Sequence, residues 1–100
     1  MSDYLKEKPH VWVTVIDPGD SEQFLGQHDA ATDIDFIPAF LEKEDALKCH
    51  HLMAKEAGRK YEPQAIHINL LKQHAAESGF LIFLLDGDGK VLDRITPQEN

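Results

Sequence analysis

Residues 79–95 read GFLIFLLDGDGKVLDRI. Phe80 to Leu85 is an unbroken apolar run of six residues, too short for a membrane span. In a strand, alternate side chains point to opposite faces, so a run apolar at every position must be covered on both sides. Asp86-Gly87-Asp88-Gly89-Lys90 then supplies turn chemistry, and Val91 to Ile95 returns as the second arm of an antiparallel hairpin. The fold therefore contains a sheet, and its last pair is antiparallel.

Upstream of this hairpin, Gly79 suits the left-handed end of a helix over Leu70 to Ser78, with Phe80 packing back and Asn69 as cap. Along that helix Leu70, Leu71, His74, Ala75 and Ser78 form the inward stripe. Gln64 to Ile68 is a short strand, and a strand–helix–strand unit favours a right-handed parallel crossover. The strongest helical pattern is Glu42 to Tyr61. Ala46, His50, Met53, Ala54, Ala57 and Tyr61 share one stripe there, with Lys48, Lys55 and Arg59 opposite. Gly58 and Pro63 mark its end. Ile34 to Leu41 is a strand whose Pro38 predicts an edge position or a bulge. His10 to Ile16 (HVWVTVI) is apolar on both faces and belongs within the sheet.

The order is strand, strand, helix, strand, helix, strand, strand (β-β-α-β-α-β-β). This predicts a single α/β (α+β) domain with a mixed sheet of about five strands and two helices. The helices are expected to cover one face. A long acidic loop, 17–33, is expected over the other face or along an edge. The N-terminus (1–8) is expected to be mobile and the tail (96–100) frayed.

Charge is distributed unevenly. Residues 9–42 hold seven acids and no lysine or arginine, and the first 42 residues carry −7 of the net −8. A one-signed surface region of this kind points to a partner with a basic surface and away from nucleic-acid backbones, whose phosphates need a basic face. The candidate partner-binding residues are Asp17, Asp20, Glu22, Phe24, Asp29 and Asp33. Phe24-Leu25 pins the connection to the core or presents an anchor. One cysteine, Cys49, and no visible secretory signal suit the cytoplasm, and no membrane partner is expected.

Catalytic constellations are missing from this pattern. The glycines are scattered, no serine sits in a nucleophile elbow, and Cys49 in mid-helix gains no help from a helix N-terminus. Six histidines raise the question of a metal, with His50, His67 and His74 as inward candidates. The spacing lacks the paired short motif of a structural zinc site, and neighbouring Cys49 and His50 diverge by about 100° on a helix. Asp86 to Asp93 lacks the helical flanks and twelfth-position glutamate of a calcium loop. No metal or cofactor is expected.

Phe36-Ile37-Pro38-Ala39-Phe40 with Asp45-Ala46-Leu47, and later Ile66-His67-Ile68-Asn69-Leu70-Leu71 with Gly79-Phe80-Leu81-Ile82, resembles SseB-type domains. Val11-Trp12-Val13 leading to Asp45-Ala46 is similar to a family of uncharacterised cyanobacterial and plastid domains. Both resemblances imply a small domain that acts by association, and neither supplies catalytic residues. Phe80 to Asp86 with Gly89-Lys90-Val91-Leu92 is similar to the late hairpin of thioredoxin-like proteins, without their Cys-x-x-Cys pair. The expectation is a non-enzymatic protein-binding or adaptor module with an acidic surface. The alternatives are a small-ligand or metal-binding domain using the inward histidines, and a redox-inactive thioredoxin-like domain. Oligomeric state is left open.

Overall fold

The computed structural model describes residues 5–6, 8–19, 23–50 and 57–97. It is an α+β fold built on one mixed, seven-stranded sheet with two helices. The strands are β1 (His10–Ile16), β2 (Gln23–Phe24), β3 (Gln27–Asp29), β4 (Ile34–Phe40), β5 (Tyr61–His67), β6 (Leu81–Leu85) and β7 (Val91–Ile95). Helix α1 (Lys43–Cys49) follows β4, and α2 (Ile68–Ser78) follows β5.

The five long strands and both helices occur in the expected order. β1 is interior: it pairs antiparallel with β5 along its whole length, and on its other side with β2 and β4. β4 and β6 are parallel, and β6 and β7 form the terminal antiparallel hairpin.

The helices lie on opposite faces, against the expectation of a shared one. Val11, Val13, Val15, Ile37, Ala39, Ile82 and Leu84 pack with Ile68, Leu71 and Ala75 of α2. Phe40, Phe83, Leu85 and Trp12 pack with Ala46 and Cys49 of α1. Topology explains this. β4 and β5 are both antiparallel to β1, hence parallel to each other, and α1 carries the chain outward past β1. The connection through α2 then runs the opposite way across the sheet, from β5 back to β6. Two right-handed crossovers in opposite directions place their helices on opposite faces. The wholly apolar run of β6 is buried by both.

Within the 17–33 connection, two described stretches, Gln23–Phe24 and Gln27–Asp29, belong to the sheet. β1 and β4 touch in register only at Trp12 and Phe40 and then diverge. Into the gap the chain inserts β2, paired with Val15 and Ile16, and β3, paired with residues 34–36 of β4. Buried backbone polar groups need partners, and ladder pairing supplies them for β2 and β3. Leu25 is buried and its N–H donates to the Thr14 carbonyl at 2.8 Å, so the Phe24-Leu25 pair pins the connection.

Neither proline stands where it was expected, at an edge or bulge for Pro38 and at a helix end for Pro63. β4 is interior, and Pro38 occupies the interval where pairing with β3 has ended at Phe36 and pairing with β1 has yet to begin at Phe40. Among the described residues Pro38 has no strand partner on that side; on the other it stands in register with Phe83 of β6. One edge of the sheet is β5, which carries Pro63. A residue before proline favours extended backbone, so Pro63 also starts β5 earlier than the helical stripe suggested. Tyr61 pairs with Ile16 in that strand instead of ending a long helix. Helix α1 closes at Cys49; residues 51–56, which include Met53, Ala54 and Lys55, lie outside the described residues. Leu5 is 1% exposed and joins the α2-side core. Residues 1–4, 7 and 98–100 lie outside the described residues.

Candidate functional site: a groove between α2 and the inserted strands

Helix α2 begins at a cap made by His67, whose Nδ1 accepts from the Asn69 N–H at 3.1 Å; Asn69 itself is inside the first turn. The helix ends as expected. Gly79 is left-handed (φ 76°), and the Phe80 N–H returns to the Ala75 carbonyl at 2.9 Å. Ile68, Leu71 and Ala75 face the sheet and are buried, while Leu70, His74 and Ser78 turn aside. An 11-residue helix is about 16 Å long and cannot cover a seven-stranded sheet.

Beside the helix lies a groove of about 1180 Å³. Val13, Val15, Ile37 and Ile66 make its floor, and Leu70, His74 and Ser78 its helical wall. The opposite wall is the inserted segment from Gln23 to His28. Phe24 reaches across, its ring edge-on to His74 with centroids 5.0 Å apart. Gly26 lies so close to Phe80 that a β-carbon there would sit 2.8 Å from the ring's Cε2.

The two ends of the groove differ in charge. At one end Arg59 donates to Asp17 Oδ2 through Nε (2.9 Å) and Nη2 (2.8 Å). The Lys60 N–H donates to Asp17 Oδ1 at 3.0 Å, and the Asp17 N–H to the Lys60 carbonyl at 2.7 Å. The Lys60 N–H first, and the Arg59 guanidinium after it, hold the Asp17 carboxyl below the usual carboxylate range. At the other end His28 Nδ1 lies 2.7 Å from Asp35 Oδ1, and its Nε2 lies 3.3 Å from Asp33 Oδ1. The hydrogen bond to Asp35, then the charges of Asp35, Asp33 and Asp29, hold the His28 imidazolium above its ordinary range. With His28 neutral this end carries an uncompensated negative charge; the Arg59 end is paired.

The four described residues among the six sequence-selected ones do not form one patch. Asp17 closes the β1–β5 end against Arg59. Asp29 holds the β3–β4 turn, accepting from the Ala31 N–H (3.1 Å) and the Thr32 hydroxyl (2.9 Å). Asp33 (φ 57°) completes that turn beside His28. Phe24 is in the groove wall, and Asp20 and Glu22 lie outside the described residues.

The inward histidines do not converge. His50 stacks edge-on with Tyr61 on the α1 side of the sheet, His74 is exposed on the α2 side, and His67 caps α2 beside His10. Among the described residues no group of three or more His, Cys, Asp or Glu is placed to hold a metal ion. Asp86 Oδ1 is taken by the N–H groups of Asp88 and Lys90, both at 2.9 Å, as a tight hairpin requires. Cys49 is buried, and burial pushes its thiol up.

Sequence reasoning missed Leu70, Ser78, Gly26, Arg59 and Asp35 as groove residues. The one available signal was that Leu70 and Leu71 are adjacent and about 100° apart, so a narrow helix–sheet contact can bury only one of them. No described helix is long and apolar enough to cross a membrane. No protein-family model, curated protein or solved structure matches the chain.

Proposed function

We propose that this chain is a non-enzymatic binding domain acting in the cytoplasm, which seats part of a basic partner protein in the groove between α2 and the inserted strands. The observation that carries this reading is the groove itself. Half-buried Phe24 and Ile66 and exposed Leu70 line it beside α2, and His28 and Asp35, with Asp33 next to them, make one end acidic. Binding sites are typically concave and mostly apolar, with a few polar groups that set orientation. The excess of acids in residues 9–42 supports steering of a basic surface, because like-signed surface charge raises encounter rates with the opposite sign.

The test is affinity capture with the intact chain and with a Leu70→Gln, His74→Ser variant. Both positions are on the exposed rim of α2, and the variant is first shown to be folded by its thermal transition. Replacing the whole 18–33 stretch would instead remove β2 and β3 from the sheet. A partner held by the intact chain and lost by the rim variant is the expected result. Equal capture by both would refute the groove as the site.

A further inference from the structure

We infer that the occupant of the groove is an extended peptide segment that seats an apolar side chain against Phe24, Ile66 and Leu70 and sets a lysine or arginine against Asp33 and Asp35. The inference rests on the binding-domain reading and gives the partner its chemistry. Three observations carry it. The groove, at about 1180 Å³, lies above the roughly 300–1,000 Å³ typical of small-molecule cavities, and its floor and walls come from β1, β2, β4, β5 and α2. Leu70 is 47% exposed, a large apolar side chain standing free on the groove's rim. The two ends are electrostatically unequal: Arg59 is paired with Asp17, whereas two carboxylates share one histidine at the His28 end.

The charge arrangement selects the sign of the ligand. A cation arriving at the His28 end meets Asp33, 93% exposed, and Asp35, 54% exposed, both accessible without unfolding. An anion there would face Asp29, Asp33 and Asp35 with one partial cation, His28, between them. At the other end, Arg59 offers an anion little net attraction while Asp17 holds it.

The experiment is fluorescence anisotropy with short labelled peptides. Each has a Phe-Leu core flanked by two lysines, two serines or two glutamates. The proteins are the full chain, Leu70→Gln, and Asp33→Asn with Asp35→Asn, each first shown to be folded by its thermal transition. The lysine-flanked peptide is expected to bind about tenfold or more tightly than the glutamate-flanked one. Leu70→Gln should weaken it about fivefold or more, and the double asparagine variant should bring the lysine- and serine-flanked peptides together. Equal binding of all three peptides would overturn the charge selection and leave the groove as a site. Binding that falls in about 0.5 M salt and ignores Leu70→Gln would overturn the groove as the peptide's seat. Uptake of an apolar dye without any peptide would overturn the peptide in favour of a small ligand. A dimeric mass in light scattering that Leu70→Gln returns to monomer would put a second copy in the groove instead. Failure of every peptide would overturn the inference, while the capture experiment decides separately whether the domain binds a protein at all.

Discussion

Gly26 provides the sharpest test of how the inserted segment is held. Its backbone is not in the left-handed region, so an alanine there is strained by contact alone. The new methyl carbon would sit 2.8 Å from Phe80 Cε2 and 3.3 Å from Cζ. Carbon contacts settle near 3.5 Å or more, so the ring or the segment must retreat by roughly 0.7 Å. Phe80 packs against the α2-side core and follows the helix-ending Gly79, which leaves the ring little freedom. Overpacking of this kind costs about 1–3 kcal/mol. For a domain of this size that lowers the melting temperature by roughly 4–24 °C. A double-mutant cycle isolates the cause. In a Phe80→Ala background the clash is gone, so Gly26→Ala should cost less than about 0.5 kcal/mol there, or stabilise slightly by restricting the unfolded chain. Urea unfolding of the four proteins measures the coupling. If Gly26→Ala costs the same in both backgrounds, the contact with Phe80 is not what requires glycine, and the reasoning is refuted.

Three further outcomes follow from the same geometry. The His28 imidazole should titrate above its unperturbed 6.5 in an NMR titration and return toward it in Asp35→Asn; an unchanged value would refute the Asp35 pairing. Since the folded pKa is raised, the stability His28 contributes is fully present below about pH 6.5 and is lost as pH rises through the folded value. Asp17 has the opposite sign: its folded pKa is depressed, so its contribution is present above about pH 4 and lost as pH falls through the folded value. The stability gap between the intact chain and Asp17→Asn should therefore close in acid, and a gap that widens there would sink the assignment. Cys49, buried under the α1-side core, should react with a disulfide reagent about a hundredfold more slowly in the folded chain than in urea. Equal rates would mean that the α1 side is open.

Local chemistry carried much of the fold. The continuous apolar run of β6, the Asp86–Lys90 hairpin, and the Gly79 stop with Phe80 folding back each depend on residues within a few positions, and each stands where the residues indicate. The long helix over 42–61 failed at its far end for the converse reason. Tyr61 fits a helical stripe by spacing, but it pairs with Ile16, and no local pattern reports that partner. Pro38 carried the signal of an edge or a bulge, yet β4 is interior, and Pro63, read as a helix end, lies within β5. Which strand is the edge depends on where strands distant in sequence come to lie.

The candidate site was legible only in part. The acidic run, Phe24 and His74 stood out as residues, yet charge and hydropathy along the chain say nothing of which acids are already paired. Asp17 is held by Arg59 and Lys60, 42 and 43 positions away, and His28 by Asp33 and Asp35 across a tight turn.

By itself, then, the sequence determined the five long strands and two helices, their order, and the accumulation of negative charge before residue 43, because periodicity, turn residues and composition are properties of neighbours. The tertiary structure alone decided three things: that the helices take opposite faces, that the acidic connection is woven between β1 and β4, and that α2 leaves an apolar groove with one acidic end. Those follow from the crossover directions, the divergence of two strands, and the shortness of one helix against a wide sheet, and none of these is a property of neighbouring residues.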